Sequence, residues 1–430
     1  MKKKVCLVSL GCPKNLVDAE MMLGQYKKDG FEISTDPAIS DVIVVNTCGF
    51  IEEAKRESIE KILQMSRHKE TGRCQKLVVS GCLSQRYKDE LSREIPEVDL
   101  FLGAAQILPD PDLPRIQATP SHYTYVKISE GCSHSCSFCI IPAIRGRLRS
   151  RPVDSIVREV REGVGRGVKE FNLIAQDLNE YGRDLKNKTN LTKLLQTLDR
   201  IPGDYWIRLL YMYPLEFNDR LIGAIRDGRH IVKYVDMPLQ HISERILLSM
   251  RRGSPSRYVR QLLGKLKKQI PNIALRTTFL VGYPGETEGE FSELCDFIAE
   301  IEFDRVGVFK FSVEEGTTAA EMTDQAPDAV KQERYDRLMS LQQKISLKKN
   351  RKLVGKTVRV LCEGLGVGRL TTQAPEIDGI TSLVGKGLVA GRFIQGKIIG
   401  ADPYDLKVRV ATASRNSSVS KGIGRRQTRS

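Results

Sequence analysis

No stretch of this 430-residue chain approaches the roughly 18 consecutive apolar residues of a membrane span, which excludes a spanning helix. The opening MKKKVCLVSLGC imitates a secretory signal, but its apolar run, Val5 to Leu10, has only strand length. Similar runs recur before Cys48 and Cys82, where no signal could stand. Ten cysteines are too few for a disulfide scaffold of this length. Their clustering in short motifs reads as metal binding in a reducing compartment, so the expected location is the cytoplasm. Acids are missing after Ala413, where the Ser/Gly-rich stretch holds Arg415, Lys421, Arg425, Arg426 and Arg429. With too few apolar residues to fold, 413–430 is expected to be a disordered basic tail. These charges belong to a net +15, which hints at an anionic partner such as RNA or a ribosomal surface.

What is present divides into three folded parts, as the length leads one to expect. Over 1–108, short apolar runs alternate with amphipathic segments, the pattern of an open parallel α/β sheet. Three of its strands end in cysteine: VCLVSLGC at Cys12, DVIVVNTC at Cys48 and KLVVSGC at Cys82. Ligands of open parallel sheets bind outside the carboxyl ends of the strands, so these thiols could gather at one edge. Pro109 to Pro120 reads as a linker. The part at 121–353 has six strand candidates, around Tyr125, Leu173, Leu209, Val235, Thr277 and Val308, and predicts a partial (β/α)6 barrel followed by a basic connecting helix over 331–353. From 354 to 412, short glycine-punctuated strands such as KTVRVLCEG and DLKVRVA predict a small antiparallel β-barrel.

Cys132, Cys136 and Cys139 follow the first barrel strand in the spacing Cys-x3-Cys-x2-Cys. Three thiolates in one loop can bind three irons of a 4Fe-4S cubane and leave the fourth open; no fourth cysteine stands nearby. A zinc knuckle completed by His134 is the structural alternative. For Cys12, Cys48 and Cys82 the alternative is three buried cysteines. Cys6, Cys74, Cys295 and Cys362 read as small core residues, and nothing in the spacing of Trp206 or His241 marks either as catalytic.

Cys-x3-Cys-x-aromatic-Cys, with Phe138 as the aromatic residue, resembles the radical S-adenosylmethionine superfamily. SLGCPKN, NTCGFI and SGCLSQ before such a barrel, and a TRAM-like barrel behind it, resemble the methylthiotransferases over Lys4 to Val410. The resemblance implies two 4Fe-4S clusters, one on Cys132, Cys136 and Cys139 and an auxiliary one on Cys12, Cys48 and Cys82, with S-adenosylmethionine as cofactor. It implies that the auxiliary cluster holds sulfur, that one cofactor molecule methylates it and that another supplies the radical. Phe138 is expected beside the cofactor. Gln176 and Gln240, in IAQDLNEYG and MPLQH at strand ends, are candidate cofactor contacts, or loop-stabilising amides. Arg145 to Arg151, RGxxRSR, are expected to attract an anionic group or to form a solvated basic face.

SLGCPKNLVDAE, RLLYMYP, LRTTFLVGYPGETE and VGVFKFSVEEGT resemble the RimO-type branch, which methylthiolates the β-carbon of an aspartate in ribosomal protein S-twelve. Ala19 and Leu178 depart from that pattern, where serine and threonine are expected. The other branch acts on an adenosine of transfer RNA, and a nonenzymatic iron-sulfur RNA-binding or redox-sensing protein is the reading from another class. The expected partner is ribosomal protein S-twelve or the small ribosomal subunit. RNA contact through the terminal barrel is less expected, because that barrel lacks a dense Lys/Arg and aromatic face. The electron donor and the oligomeric state carry no signature in the sequence.

Overall fold

The computed structural model describes residues 2–104, 115–186 and 188–410. The expected tail over 413–430 and much of the linker between Pro109 and Pro120 lie outside them. Near the amino terminus, β1 (Lys4–Ser9), β2 (Glu32–Ser34), β3 (Val42–Thr47), β4 (Lys76–Gly81) and β5 (Leu100–Gly103) form one parallel sheet in the order β2-β1-β3-β4-β5. The unbroken apolar run of β3 is buried along its whole length, as a central parallel strand covered on both faces requires. Helices α1 (Pro13–Lys28), α2 (Glu52–Ser66), α3 (His68–Thr71) and α4 (Cys82–Glu94) complete this layer.

The second sheet has six parallel strands, one at each position expected from the sequence. They are β6 (Tyr123–Lys127), β9 (Glu170–Ile174), β10 (Trp206–Leu209), β11 (Ile231–Asp236), β12 (Ala274–Val281) and β13 (Arg305–Lys310), paired in chain order. Between β6 and β9 stand the short pair β7 (Ser129–Glu130) and β8 (Arg149–Ser150), helix α5 (Ile141–Arg145) and helix α6 (Val153–Gly165). Crossovers α7 (Leu191–Asp199), α8 (Asp219–Asp227), α9 (Glu244–Ser249), α10 (Ser256–Gln269) and α11 (Glu288–Ile301) follow, the last started by a Thr287/Glu290 capping box. Alternation divides the sheet's two faces. Phe171, Leu173, Ile207, Leu209 and Val235 pack with the helices, whereas Tyr125, Ile174, Trp206 and Tyr234 face α1 and the carboxy-terminal barrel.

Helix α12 (Asp328–Arg351) leads to that barrel, closed by β14 (Thr357–Gly364), β15 (Val367–Arg369), β16 (Thr381–Val384), β17 (Phe393–Ala401) and β18 (Leu406–Val410). Four of its pairings are antiparallel and β16 with β18 is parallel. Strand direction cannot alternate all the way round a ring of five, so one parallel pair is a consequence of closure.

Candidate iron-sulfur and cofactor site

β1, β3 and β4 are neighbours in their sheet, so the segments leaving their carboxyl ends emerge side by side. Cys12 caps α1, Cys48 follows β3 and Cys82 opens α4. The turn into Cys12 is made by Gly11 at φ +87°, and a Cβ there would stand 2.8 Å from the Cys48 Cβ. Glycine is thus demanded both by the backbone and by the closeness of the two thiol segments. Ser58 holds Cys48 by accepting from its N–H at 3.0 Å and donating to its carbonyl at 2.8 Å. Burial pushes the Cys48 thiol up to about 12, and the charges of Cys82 and Cys12 add to the rise. Three thiols within electrostatic reach of one another form a set that a metal deprotonates on binding.

The second set lies beyond β6. Gly131, at φ +77°, lets the loop pass the Arg147 carbonyl, which an added Cβ would approach to 2.1 Å. Cys132 N–H donates to the Gly146 carbonyl at 3.1 Å, and Cys139 N–H to the Cys136 carbonyl at 3.1 Å. Ser137, between the thiols, donates its N–H to Met250 and its hydroxyl to Ser249, so the loop is fastened to the end of α9. Burial pushes Cys132 up to about 12 and Cys139 to about 11. Arg252 points its guanidinium at the Cys136 sulfur, 3.6 Å away, from above the Tyr213 ring.

The other residues singled out in the sequence divide by environment. His134 gives its Nε2 to the Asp177 carboxylate at 2.8 Å and stacks on Tyr213, although its ring also lies near Cys132 and Glu180. Phe138 packs against the cluster of Ile246, Met250, Leu280, Tyr283 and Phe311. Gln176 donates to Glu130 at 2.7 Å, while its carbonyl oxygen is buried without a partner. Gln240 stands at φ +73° and bridges to Phe279 through its backbone. His241 is fully buried beside Glu286, and Trp206 packs on Phe393 of the carboxy-terminal barrel. Ala19 and Leu178 are core residues.

Neither expected role describes Arg145 and Arg151. Arg145 is 2% exposed and Arg151 is 9% exposed. Arg151 bonds the Lys127 carbonyl, Glu159 and Ser155. Arg145 reaches across the gap between the two cysteine sets. Its guanidinium bonds Asp18 at 2.6 Å, Glu130 at 3.1 Å, Asn15, and the Cys82 sulfur at 3.4 Å. Lys127 joins Asp18 and Glu130 from the other side, which makes a buried quartet of two cations and two acids. Burial works against the charged form of Glu130, but Lys127 and Arg145 outweigh it and hold this carboxyl down at about 2. Glu130 lies two residues before Cys132 and also accepts from Gln176, so one network bonds a thiol of the first set and a candidate cofactor contact and ends next to the loop of the second set.

The sequence reading missed Asn15, Asp18, Lys127 and Glu130. A signal existed: Asp18 and Glu20 interrupt the face of α1 that carries Val17 and Met21, and both acids are buried. Above the same layer, Glu314, just beyond β13, receives Lys55 at 3.3 Å and Arg86 at 2.8 Å. A cavity of about 600 Å³ opens there between Ile51, three residues after Cys48, and Phe309 to Val313.

The donor chemistry fits iron-sulfur clusters: one set of three thiols close behind three parallel strands, a second set in one loop beyond β6, and an orphaned buried amide oxygen on Gln176, which bonds Glu130 two residues before Cys132. An open six-stranded β/α barrel with a three-cysteine loop after its first strand defines a radical S-adenosylmethionine enzyme, and residues 126–298 match the profile of the Radical SAM superfamily. Residues 4–103 match uncharacterized protein family UPF0004, and 354–411 match the TRAM domain. Among solved structures, the radical S-adenosylmethionine methyltransferase TsrM from Kitasatospora setae shares the fold, with a TM-score of 0.52 and 15% identity over 72% of this chain and 75% of that one. Ribosomal protein uS12 methylthiotransferase RimO of Anaeromyxobacter sp. (strain K) is 48% identical over 95% of this chain and 94% of its own length. The RimO of Pelobacter propionicus is 47% identical over 94% and 97%. The chain belongs to the ribosomal protein uS12 methylthiotransferase RimO family.

Proposed function

We propose that this protein methylthiolates ribosomal protein uS12, at the β-carbon of an aspartate. Cys132, Cys136 and Cys139 would hold one 4Fe-4S cluster, and Cys12, Cys48 and Cys82 a second. When bound, the clusters and S-adenosylmethionine supply a carbon-centred radical and a methylthio group, chemistry beyond any side chain of the protein. The observation that carries the reading is one buried network that bonds Cys82 of the first set through Arg145 and includes Glu130, two residues before Cys132 of the second. Transfer between two centres needs them in fixed register, and a fully bonded ionic quartet gives that register.

The chain's own residues do the rest. Ser137 and Ser58 fasten the two thiol loops, while Gln176 would offer its unpartnered carbonyl oxygen to a donor such as the cofactor amino group, and Phe138 and Gln240 would be further cofactor contacts. Glu314, receiving Lys55 and Arg86, seats the amino-terminal layer over the strand ends of the barrel. The terminal barrel exposes Leu365, Val384 and Val389, which supports a protein partner at that end, with RNA contact beside it. No helix among the described residues is long and apolar enough to cross a membrane, and the proposed site of action is the cytoplasm.

Anaerobic reconstitution with reductant, sulfide and S-adenosylmethionine, followed by mass spectrometry of uS12 and of transfer RNA, tests this. A methylthio addition on a uS12 aspartate is expected, and Cys132→Ala is expected to abolish cofactor cleavage. Addition to transfer RNA alone would refute the substrate.

A further inference from the structure

Lys14 stands apart from the cations around it. Lys127 and Arg145 each hold two acids, yet Lys14, two residues after Cys12, makes no ion pair among the described residues. Its ammonium has one long hydrogen bond, 3.4 Å to the Ala175 carbonyl, and lies 3.3 Å from the centroid of the Tyr211 ring. Ala175 directly follows β9 and precedes Gln176, and Tyr211 lies just beyond β10. The side chain therefore starts beside the first thiol set and ends at the strand ends of the barrel that carries the second.

The carboxylates within electrostatic reach of Lys14 are committed elsewhere, and the other anionic neighbour is the Cys12 thiol. Glu130 bonds Lys127, Arg145 and Gln176, and Asp236 bonds Arg276 at 2.8 Å and the Tyr211 N–H at 2.9 Å. Tyr211 itself is held at φ +65°, a conformation that a bulky residue adopts only when its surroundings impose it. The Asp236 bond to its backbone is part of that constraint, and the result is an aromatic face set under the ammonium. A half-buried ammonium with a ring beneath it, one weak acceptor and no carboxylate partner favours an anionic ligand, and a carboxylate satisfies its remaining donors.

We propose that Lys14 is a specificity-determining residue that binds the side-chain carboxylate of the substrate aspartate. The assignment rests on the uS12 reading. In aspartate the carboxylate is bonded directly to the β-carbon, so an anchor on the carboxylate fixes the reacting carbon within one bond length. That places the carbon between the thiols of Cys12, Cys48 and Cys82 and the mouth of the barrel. A neutral nucleobase offers Lys14 no such partner.

The test uses the full chain with both clusters reconstituted and S-adenosylmethionine present, without reductant, so that binding is read in the absence of turnover. The probes are uS12 and uS12 with the target aspartate replaced by asparagine. The unmodified enzyme is expected to bind the aspartate form about 10–100-fold more tightly, the range of one charge-assisted hydrogen bond. In Lys14→Met and Lys14→Gln, with iron content equal to that of the unmodified enzyme, the two forms are expected to bind equally. Lys14→Arg is expected to keep part of the preference. Variants of equal iron content that retain the full preference would overturn the assignment, including where they shift the reduction potential of the auxiliary cluster. Failure of the unmodified enzyme to modify uS12 while modifying transfer RNA would refute the substrate reading itself, before any variant is compared.

Discussion

Arg145 shows how a single residue can serve packing and chemistry together. A buried ion pair in isolation is weak evidence for stability, because desolvating both charges offsets most of their attraction. The quartet of Asp18, Lys127, Glu130 and Arg145 differs in having two charges of each sign, each bonded, with Asn15 and Gln176 taking up further sites. Removing one member leaves the others unbalanced. Arg145→Met is therefore expected to destabilise the fold by about 3–5 kcal/mol, read as a lower denaturant midpoint. An unchanged midpoint would show that water or local rearrangement replaces the guanidinium. Asn15 adds a second lesson at this scale: its amide nitrogen bonds the carbonyls of Leu10 and Thr47, tying the exits of β1 and β3 just where Cys12 and Cys48 begin.

At the scale of elements, Glu170 at the start of β9 joins the six-stranded sheet to the terminal barrel. Its carboxylate pairs with Arg208 of β10 at 2.7 Å and Arg369 of β15 at 2.6 Å, and Arg208 continues to the Thr371 carbonyl. Burial opposes the charged form, but Arg369 and Arg208 outweigh it and hold the carboxyl below its usual 4.5. The folded state thus binds fewer protons here than the unfolded state, so this contribution is complete above the usual carboxylate range. It is lost as pH falls through that range toward the lower folded value. Acid titration monitored by Trp206 fluorescence, at the same interface, is expected to show the terminal barrel loosening on the acid side. Glu170→Gln is expected to loosen it already at neutral pH and to flatten that acid dependence. A variant with an unaltered acid limb would assign the transition to other carboxylates.

For the whole molecule, the sheet face that carries Tyr125, Trp206 and Tyr234 is covered by α1 on one part and by the terminal barrel on another. Either cover alone leaves aromatic surface in water, so the three parts stabilise one another. The seat of the amino-terminal layer at the other end depends on Glu314, which is nearly inaccessible and takes both Lys55 and Arg86. Glu314→Gln is expected to raise hydrogen exchange in α2 and α4 while leaving β9 to β12 protected. Equal exchange in both proteins would mean that the α1 contacts and the Arg145 quartet hold the layer without it.

The sequence by itself determined the local alphabet of this protein. Apolar runs of strand length, amphipathic crossovers and glycine-punctuated short strands gave all three sheets, because periodicity is local. The spacing of Cys132, Cys136 and Cys139 gave one thiol set as a candidate, and cysteines close behind β1, β3 and β4 gave the other. Tertiary structure decided what the charges do. Arg145 and Arg151 have the spacing of a solvated basic face, yet both are buried, because the fold brings Asp18 of α1, Glu130 of β7 and Glu159 of α6 against them. Lys14 bears no mark in the sequence for the same reason: whether a lysine has a carboxylate partner depends on which acids the fold brings near it and which cations have already claimed them.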